Sequence, residues 1–247
     1  MARRDDIVQF ANELLEVEKW QEFAPAGLQV VGADEVGAIA CGVSASLDLF
    51  ERAGQAGADL VLVHHGLFWR NEPLLIDRRL RGRLAALFAC DMSLVAYHLA
   101  LDAHPIVGNN AQLIRLLGIE PDRPFGRVGL GGALPAPVGI DELTARVEAA
   151  VGRPPLVFAE GHTQITRVAV CTGAAGHDLL AAAHEGYDCY VTGEPEEPNL
   201  HAARELGIHL VAAGHYATER LGVQGLGQRI AEEFDVSYEF IEVENPV

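Results

Sequence analysis

The chain has 247 residues, of which 49 % are hydrophobic and 21 % charged. That balance fits one large or two small globular domains with a sizeable buried core. No apolar run approaches the roughly 20 residues of a transmembrane helix. The formal net charge of −17 argues against a nucleic-acid backbone as the main partner, because phosphate binding needs a basic surface, and it suits attraction of cations. Residues 1–18 mix charges among their apolar positions and lack the continuous apolar stretch of a secretory signal. No membrane partner is expected, and the expected location is the cytoplasm.

Taken in chain order, residues 5–18 carry Ile7, Phe10, Ala11, Leu14 and Leu15 at helical spacing, with Asp5 and Asp6 at the favourable N-terminal end. Strand-like runs follow at 27–31 and 38–44, then a helix at 47–56. Residues 59–63 form a continuous apolar run, as in strands buried on both faces of a parallel sheet. A helix at 77–89, a strand at 93–97 and a helix at 109–117 complete the first half. Residues 125–139 are rich in Gly and Pro and mark a change of unit, with an edge strand expected over 128–134. The second half repeats the rhythm: helix 141–151, strands 156–159 and 167–171, helix 176–184, strand 189–192, helix 196–206, strand 208–212, helix 215–233 and strand 236–243. The expectation is an α/β fold of two pseudo-repeated layers with mixed, mostly parallel sheets, residues 1–125 and 126–247.

The four cysteines, Cys41, Cys90, Cys171 and Cys189, form no C-x-x-C pair. Three lie in strand-like runs and Cys90 ends a helix-like one, so buried reduced thiols are expected.

Three segments carry metal-ligand chemistry. His64 and His65, followed by Gly66, end the buried strand of residues 59–63, at the sheet edge where α/β folds bind ligands. Adjacent strand residues point to opposite faces, and Gly66 permits a turn that brings both imidazoles together. His98, Asp102 and His104 follow the strand of residues 93–97. A carboxylate beside imidazoles is the donor mixture of a hydrolytic metal centre, although a lone Asp there would ordinarily be a turn residue. His98 is a candidate ligand, a donor that supports a ligand, a substrate contact or a proton shuttle, and His104 a loop residue or proton carrier rather than a ligand. His215 and Glu219 follow a strand and lie four apart on one helix face; the ordinary alternative is a surface ion pair. All three segments fall at carboxyl ends of expected strands. Glu194 lies at a fourth such end, as a candidate substrate contact or proton shuttle, while Glu196 and Glu197 fit the N-terminal turn of a helix.

At these residues the sequence resembles the Nif-three-like dinuclear-metal hexameric proteins, also called the GTP cyclohydrolase 1 type 2 homologues. The matching pieces are Gly27-Leu28-Gln29-Val30, Leu62 through Trp69, His98 through Pro105, Gly108-Asn109-Asn110, Thr192-Gly193-Glu194 and Ala213 through Glu219. They stand in the family order, span nearly the whole chain, and match the short bacterial form without an inserted domain. The resemblance implies two intertwined α/β repeats and two divalent metal ions held by His64, His65, Asp102, His215 and Glu219. It also implies a toroidal homohexamer. The loop from Pro195 to Pro198 is richer in proline than the resemblance implies.

The leading functional expectation is a metal-dependent hydrolase acting on a small molecule, with GTP, opened at its purine imidazole ring, suggested by the family label. No P-loop or Rossmann glycine fingerprint supports a nucleotide. The alternatives are a non-enzymatic metal carrier for cofactor assembly and a regulatory partner protein with structural metals. A mixed His and carboxylate set suits Zn, Mn, Fe, Co or Ni.

Overall fold

The computed structural model describes residues 1–247. In chain order its elements are β1 (Ala2–Arg3), α1 (Arg4–Leu14), β2 (Gly27–Val30), β3 (Glu35–Val36), β4 (Ala38–Ser44), α2 (Leu47–Gln55), β5 (Leu60–His65), α3 (Arg78–Ala89), β6 (Ser93–Ala96) and α4 (Leu99–Asp102). They continue as α5 (Asn109–Leu116), β7 (Glu120–Phe125), β8 (Gly129–Val138), α6 (Ile140–Val151), β9 (Leu156–Phe158), β10 (Ile165–Cys171), α7 (Leu179–His184), β11 (Cys189–Thr192), α8 (Asn199–Leu206), β12 (His209–Ala212), α9 (His215–Phe234) and β13 (Ser237–Phe240). Side-chain caps begin two of the helices: Ser46 accepts from Leu49 N at 3.2 Å before α2, and Asp77 from Leu80 N at 2.8 Å before α3.

Contacts group the chain into two compact units, one of Met1–Leu101 with Gly222–Glu244 and one of Asp102–Leu221 with Asn245–Val247. The first unit holds a five-stranded sheet in the order β13-β4-β5-β6-β2. Its first four strands are parallel and β2 runs antiparallel to β6. Phe50 and Leu49 of α2 and Leu87 of α3 pack on Val61 and Val63 of β5 and Leu94 of β6.

The second unit holds a six-stranded sheet in the order β7-β8-β10-β11-β12-β9. Only β10, β11 and β12 are mutually parallel. Strand alternation sends Val168 and Val170 to one core with Leu113 and Ile114 of α5 and Ala217 of α9. Ala169 and Cys171 go to another core with Leu179 of α7 and Ala203 of α8.

The two sheets repeat one arrangement, three parallel strands bordered by an antiparallel strand: β4-β5-β6-β2 and β10-β11-β12-β9. The repeat extends to single carboxylates. Asp59 Oδ2 accepts from Gly37 N and Ala38 N at 2.7 and 3.0 Å. Asp188 Oδ2 accepts from Thr166 N and Arg167 N at 2.7 and 2.9 Å. Each Asp also donates its own N–H to the strand it ties, Ala38 O and Arg167 O respectively, at 2.9 Å.

Two expectations need correction. The strand over 128–134 is not an edge: β8 runs from Gly129 to Val138 between β7 and β10. The true edge is β7, exposed at five of its six positions and carrying Pro121 and Pro124, whose missing N–H groups suit an edge. Cys41, Cys171 and Cys189 are buried, but Cys90 is exposed just beyond α3. No helix is long and apolar enough to cross a membrane.

Candidate metal-binding clusters

In the first unit, β5 ends on His64 and His65. Their ring centroids lie 4.6 Å apart at 47°, so the imidazoles of two successive residues do converge. The turn after them depends on Gln29, whose Oε1 accepts from Leu67 N at 2.8 Å and whose Nε2 donates to Pro25 O at 2.8 Å. A Cβ on Gly66 would fall on that Gln29 amide. A side chain at this position would therefore displace the Gln29 amide from Leu67 N.

Each imidazole is oriented through Nδ1. His64, 1 % exposed, has Nδ1 at 2.9 Å from Tyr97 O. A carbonyl only accepts, so Nδ1 carries the hydrogen and Nε2 the lone pair that a metal needs. His65 Nδ1 lies 3.0 Å from Ser44 Oγ at the end of β4. His98, just past β6, packs its ring 4.9 Å from His64 and 5.6 Å from His65. Donor atoms of these three histidines all lie within 4.8 Å of one another.

Glu22 supports this cluster. Its carboxylate accepts from Leu99 N at 3.1 Å and Ala100 N at 2.9 Å, opening α4, and Oε2 lies 3.6 Å from His98 Nδ1. Burial pushes the Glu22 carboxyl up, but His98 and the two backbone N–H groups outweigh that and hold it below the usual range. Trp69 stands edge-on to His98, with centroids 5.2 Å apart at 85°, and Phe23 lies 6.1 Å from the same ring.

In the second unit, Asp102 and Glu219 are 4 % and 3 % exposed, and their carboxylates offer oxygens within 4.8 Å of each other. Asn109, at the start of α5, donates Nδ2 to Asp102 Oδ1 at 2.8 Å. Asn110 donates to Asp102 O at 3.2 Å and Val128 O at 3.1 Å, and accepts from Thr172 N at 2.9 Å.

His215 opens α9. Its Nε2 lies 2.9 Å from Glu219 Oε2, and its Nδ1 meets the Glu194 carboxylate. Burial opposes charge on the ring, yet the Glu219 and Glu194 carboxylates win and raise its pKa to about 9. Gly173, with φ of 71°, leaves room for Glu219, since a Cβ there would fall on Oε1. Gly173 N in turn donates to Thr218 Oγ1 at 3.1 Å.

These donors fit a divalent cation. Two carboxylates this close and this far from water repel one another, and a cation between imidazole and carboxylate donors relieves that repulsion. In the first unit the Tyr97 carbonyl holds His64 through Nδ1 and leaves Nε2 for a cation, as the outer partners of metal ligands do.

A family model described as Duf34/NIF3 (NGG1p interacting factor 3) matches residues 2–246. The chain belongs to the DUF34/NIF3 family. This DUF34/NIF3 protein is 43 % identical over 251 residues to the GTP cyclohydrolase 1 type 2 homolog of Escherichia coli (strain K12), with 99 % of each chain covered. Among solved structures it resembles protein ybgI, described as of unknown function, with a TM-score of 0.96 and 42 % identity over all of both chains. It also resembles TTHA1606 from Thermus thermophilus, with a TM-score of 0.92 and 32 % identity over all of both chains.

The supporting residues of this DUF34/NIF3 protein were less visible in sequence than its histidines. Gln29, Asn109 and Asn110 stand inside the family motifs, yet nothing in their spacing announces which backbone group each holds. Ser44 ends an apolar strand, a weak signal in retrospect. Glu22 gave none, because it reaches His98 from an irregular segment far away in sequence. His104 Nδ1 accepts from Val107 N at 3.0 Å and so serves its own loop.

Proposed function

We propose that this DUF34/NIF3 protein binds two divalent metal ions through His64, His65, Asp102, His215 and Glu219 and uses them as a hydrolase. The observation that carries the reading is the buried Asp102 and Glu219 pair, with oxygens within 4.8 Å and His215 against one of them. Bound cations of this kind supply Lewis acidity and lower the pKa of water toward about 7.

The chain's own residues do the rest. Tyr97 and Ser44 hold His64 and His65 by Nδ1, so each ring presents Nε2 to a cation. Asn109 fixes the Asp102 carboxylate, and Glu194 fixes the His215 ring. We assign Glu194 to that positioning role. His98, backed by Glu22 at 3.6 Å, is placed to accept and return a proton. Trp69 and Phe23 pack beside that ring. The names of the relatives make GTP the first substrate to try.

Metal analysis of the wild type, His65→Ala and Glu219→Ala, run beside a GTP turnover assay, tests this reading. About two metals per chain in the wild type, lost in both variants together with turnover, is the expected result. Full metal content with no turnover of any nucleotide leaves a metal carrier instead. A wild type that stays metal-free after reconstitution defeats the proposal.

We also propose assembly as a homohexamer in the cytoplasm. The run Leu74, Leu75 and Ile76, exposed at 105, 67 and 66 %, supports contact with further copies. Four cysteines without a disulfide suit a reducing compartment.

A further inference from the structure

Thr172 is 6 % exposed and its Oγ1 has no hydrogen-bond partner within the chain. A buried hydroxyl left unpaired is costly, and its position gives that cost a purpose. It follows β10, whose residues Val168 and Val170 face α5 and α9. Continued one residue past the strand, the alternation puts Thr172 on that same side, and two backbone bonds tie the segment to those helices. Thr172 N donates to Asn110 at 2.9 Å, the residue that also bonds Asp102 O. The next N–H, of Gly173, donates to Thr218, the neighbour of Glu219. The hydroxyl therefore stands in the segment tied to α5, whose Asn110 also bonds Asp102 O, and to α9, which carries Glu219. Cys171 cannot take its place, because its side chain lies in the opposite core.

We infer that the Thr172 hydroxyl is a further contact of the Asp102 and Glu219 cluster, hydrogen-bonding an oxygen-bearing ligand taken up with the metal. The ligand is either water or the phosphoryl oxygen of a phosphate-bearing substrate; both present an oxygen that can accept from Oγ1. The inference rests on the metal-binding reading above. It predicts opposite effects of one substitution on the two states of the protein. Removing an orphan hydroxyl helps the metal-free chain, and removing a working contact harms the loaded one.

The test uses Thr172→Val, which keeps the shape and loses the hydroxyl, and Thr172→Ser, which keeps the hydroxyl. Thermal unfolding and Co(II) titration, followed by the visible cobalt spectrum, are run with and without inorganic phosphate. Expected for Thr172→Val is a metal-free Tm equal to or above wild type, a smaller rise in Tm on adding Co(II), and an altered cobalt spectrum. Ligand affinity should fall about three- to tenfold, the worth of one hydrogen bond, and Thr172→Ser should restore it. A difference already present with Co(II) alone identifies water. A difference appearing only with phosphate identifies the phosphoryl oxygen. If Thr172→Val matches wild type in spectrum, affinity and Tm rise in both arms, the inference is wrong while the metal reading stands. A wild type that takes up no Co(II) overturns both.

Discussion

Asn109 holds Asp102: its side-chain amide donates to Oδ1 at 2.8 Å, and the residue is fully buried. A ligand carboxylate anchored by one oxygen has its other oxygen aimed by that anchor. Asn109→Ala should weaken metal binding about 10- to 100-fold and lower the stability of the metal-free protein by about 1–3 kcal/mol. Metal titration and thermal unfolding of the same preparation check both. Lowered stability with unchanged affinity would reduce Asn109 to a packing residue.

Gly173 and Gly207 provide a matched comparison. Both have left-handed backbones, with φ of 71° and 67°. A Cβ at Gly207 meets nothing within 4 Å, whereas one at Gly173 meets Glu219 Oε1. Alanine at either position should cost about 1–2 kcal/mol of backbone strain. Only Gly173→Ala should also lose metal, because Glu219 must move. Equal metal content in the two variants would show that the Glu219 position tolerates displacement.

The sequence made the strand ends legible and hid what steadies them. Apolar runs fixed β4, β5, β6, β10, β11 and β12 to within a few residues, and the histidines at their ends were visible because polar side chains interrupt such runs. By contrast β7, with Pro121 and Pro124 and one buried side chain, has no strand pattern of its own and exists because β8 pairs with it. The pairing of β13 beside β4 joins residues about two hundred positions apart, which no local periodicity records. The change of composition near residue 125 marks β7 and β8, while contacts divide the chain inside α4 and α9. Hydrophobic pattern reports local burial, and unit boundaries depend on long-range contacts.

Asp188 and Asp59 make a prediction about the repeat itself. Each carboxylate draws two N–H groups of the preceding strand onto the start of the next. Burial raises the Asp188 carboxyl, but bonds from Thr166 and Arg167 outweigh it and hold it below its usual range. A depressed carboxyl contributes stability that is present above its unfolded pKa, near 3.9, and is lost as pH falls through the folded value. Asp188→Asn should therefore lower stability at neutral pH by about 1–3 kcal/mol, read as a lower Tm, and flatten the loss of stability below about pH 4. Asp59→Asn should show a neutral-pH cost of similar size if the two carboxylates do equivalent work. A neutral Asp59→Asn would mean that the geometric repeat is not an energetic one.

If His215 is a ligand as proposed, metal uptake should depend on pH. Its pKa in the metal-free protein is raised to about 9 by Glu219 and Glu194 against the effect of burial, whereas an unfolded histidine titrates near 6.5. A raised pKa gives stability that is fully present below about 6.5 and is lost as pH rises through about 9. Metal binding runs the other way, because the ring must give up its proton to become a ligand. Apparent affinity should climb by up to about tenfold per pH unit across that window and level off above it. Glu194→Gln removes one of the two anions, so the plateau should begin at lower pH, and the imidazole resonances of the metal-free variant should titrate below those of wild type. Metal titrations at several pH values, with NMR of the imidazole nitrogens, measure the two effects separately. Affinity that is flat from about 6.5 to 9, with His215 titrating near its ordinary value, would mean that the Glu194 and Glu219 carboxylates do not both face the ring in solution.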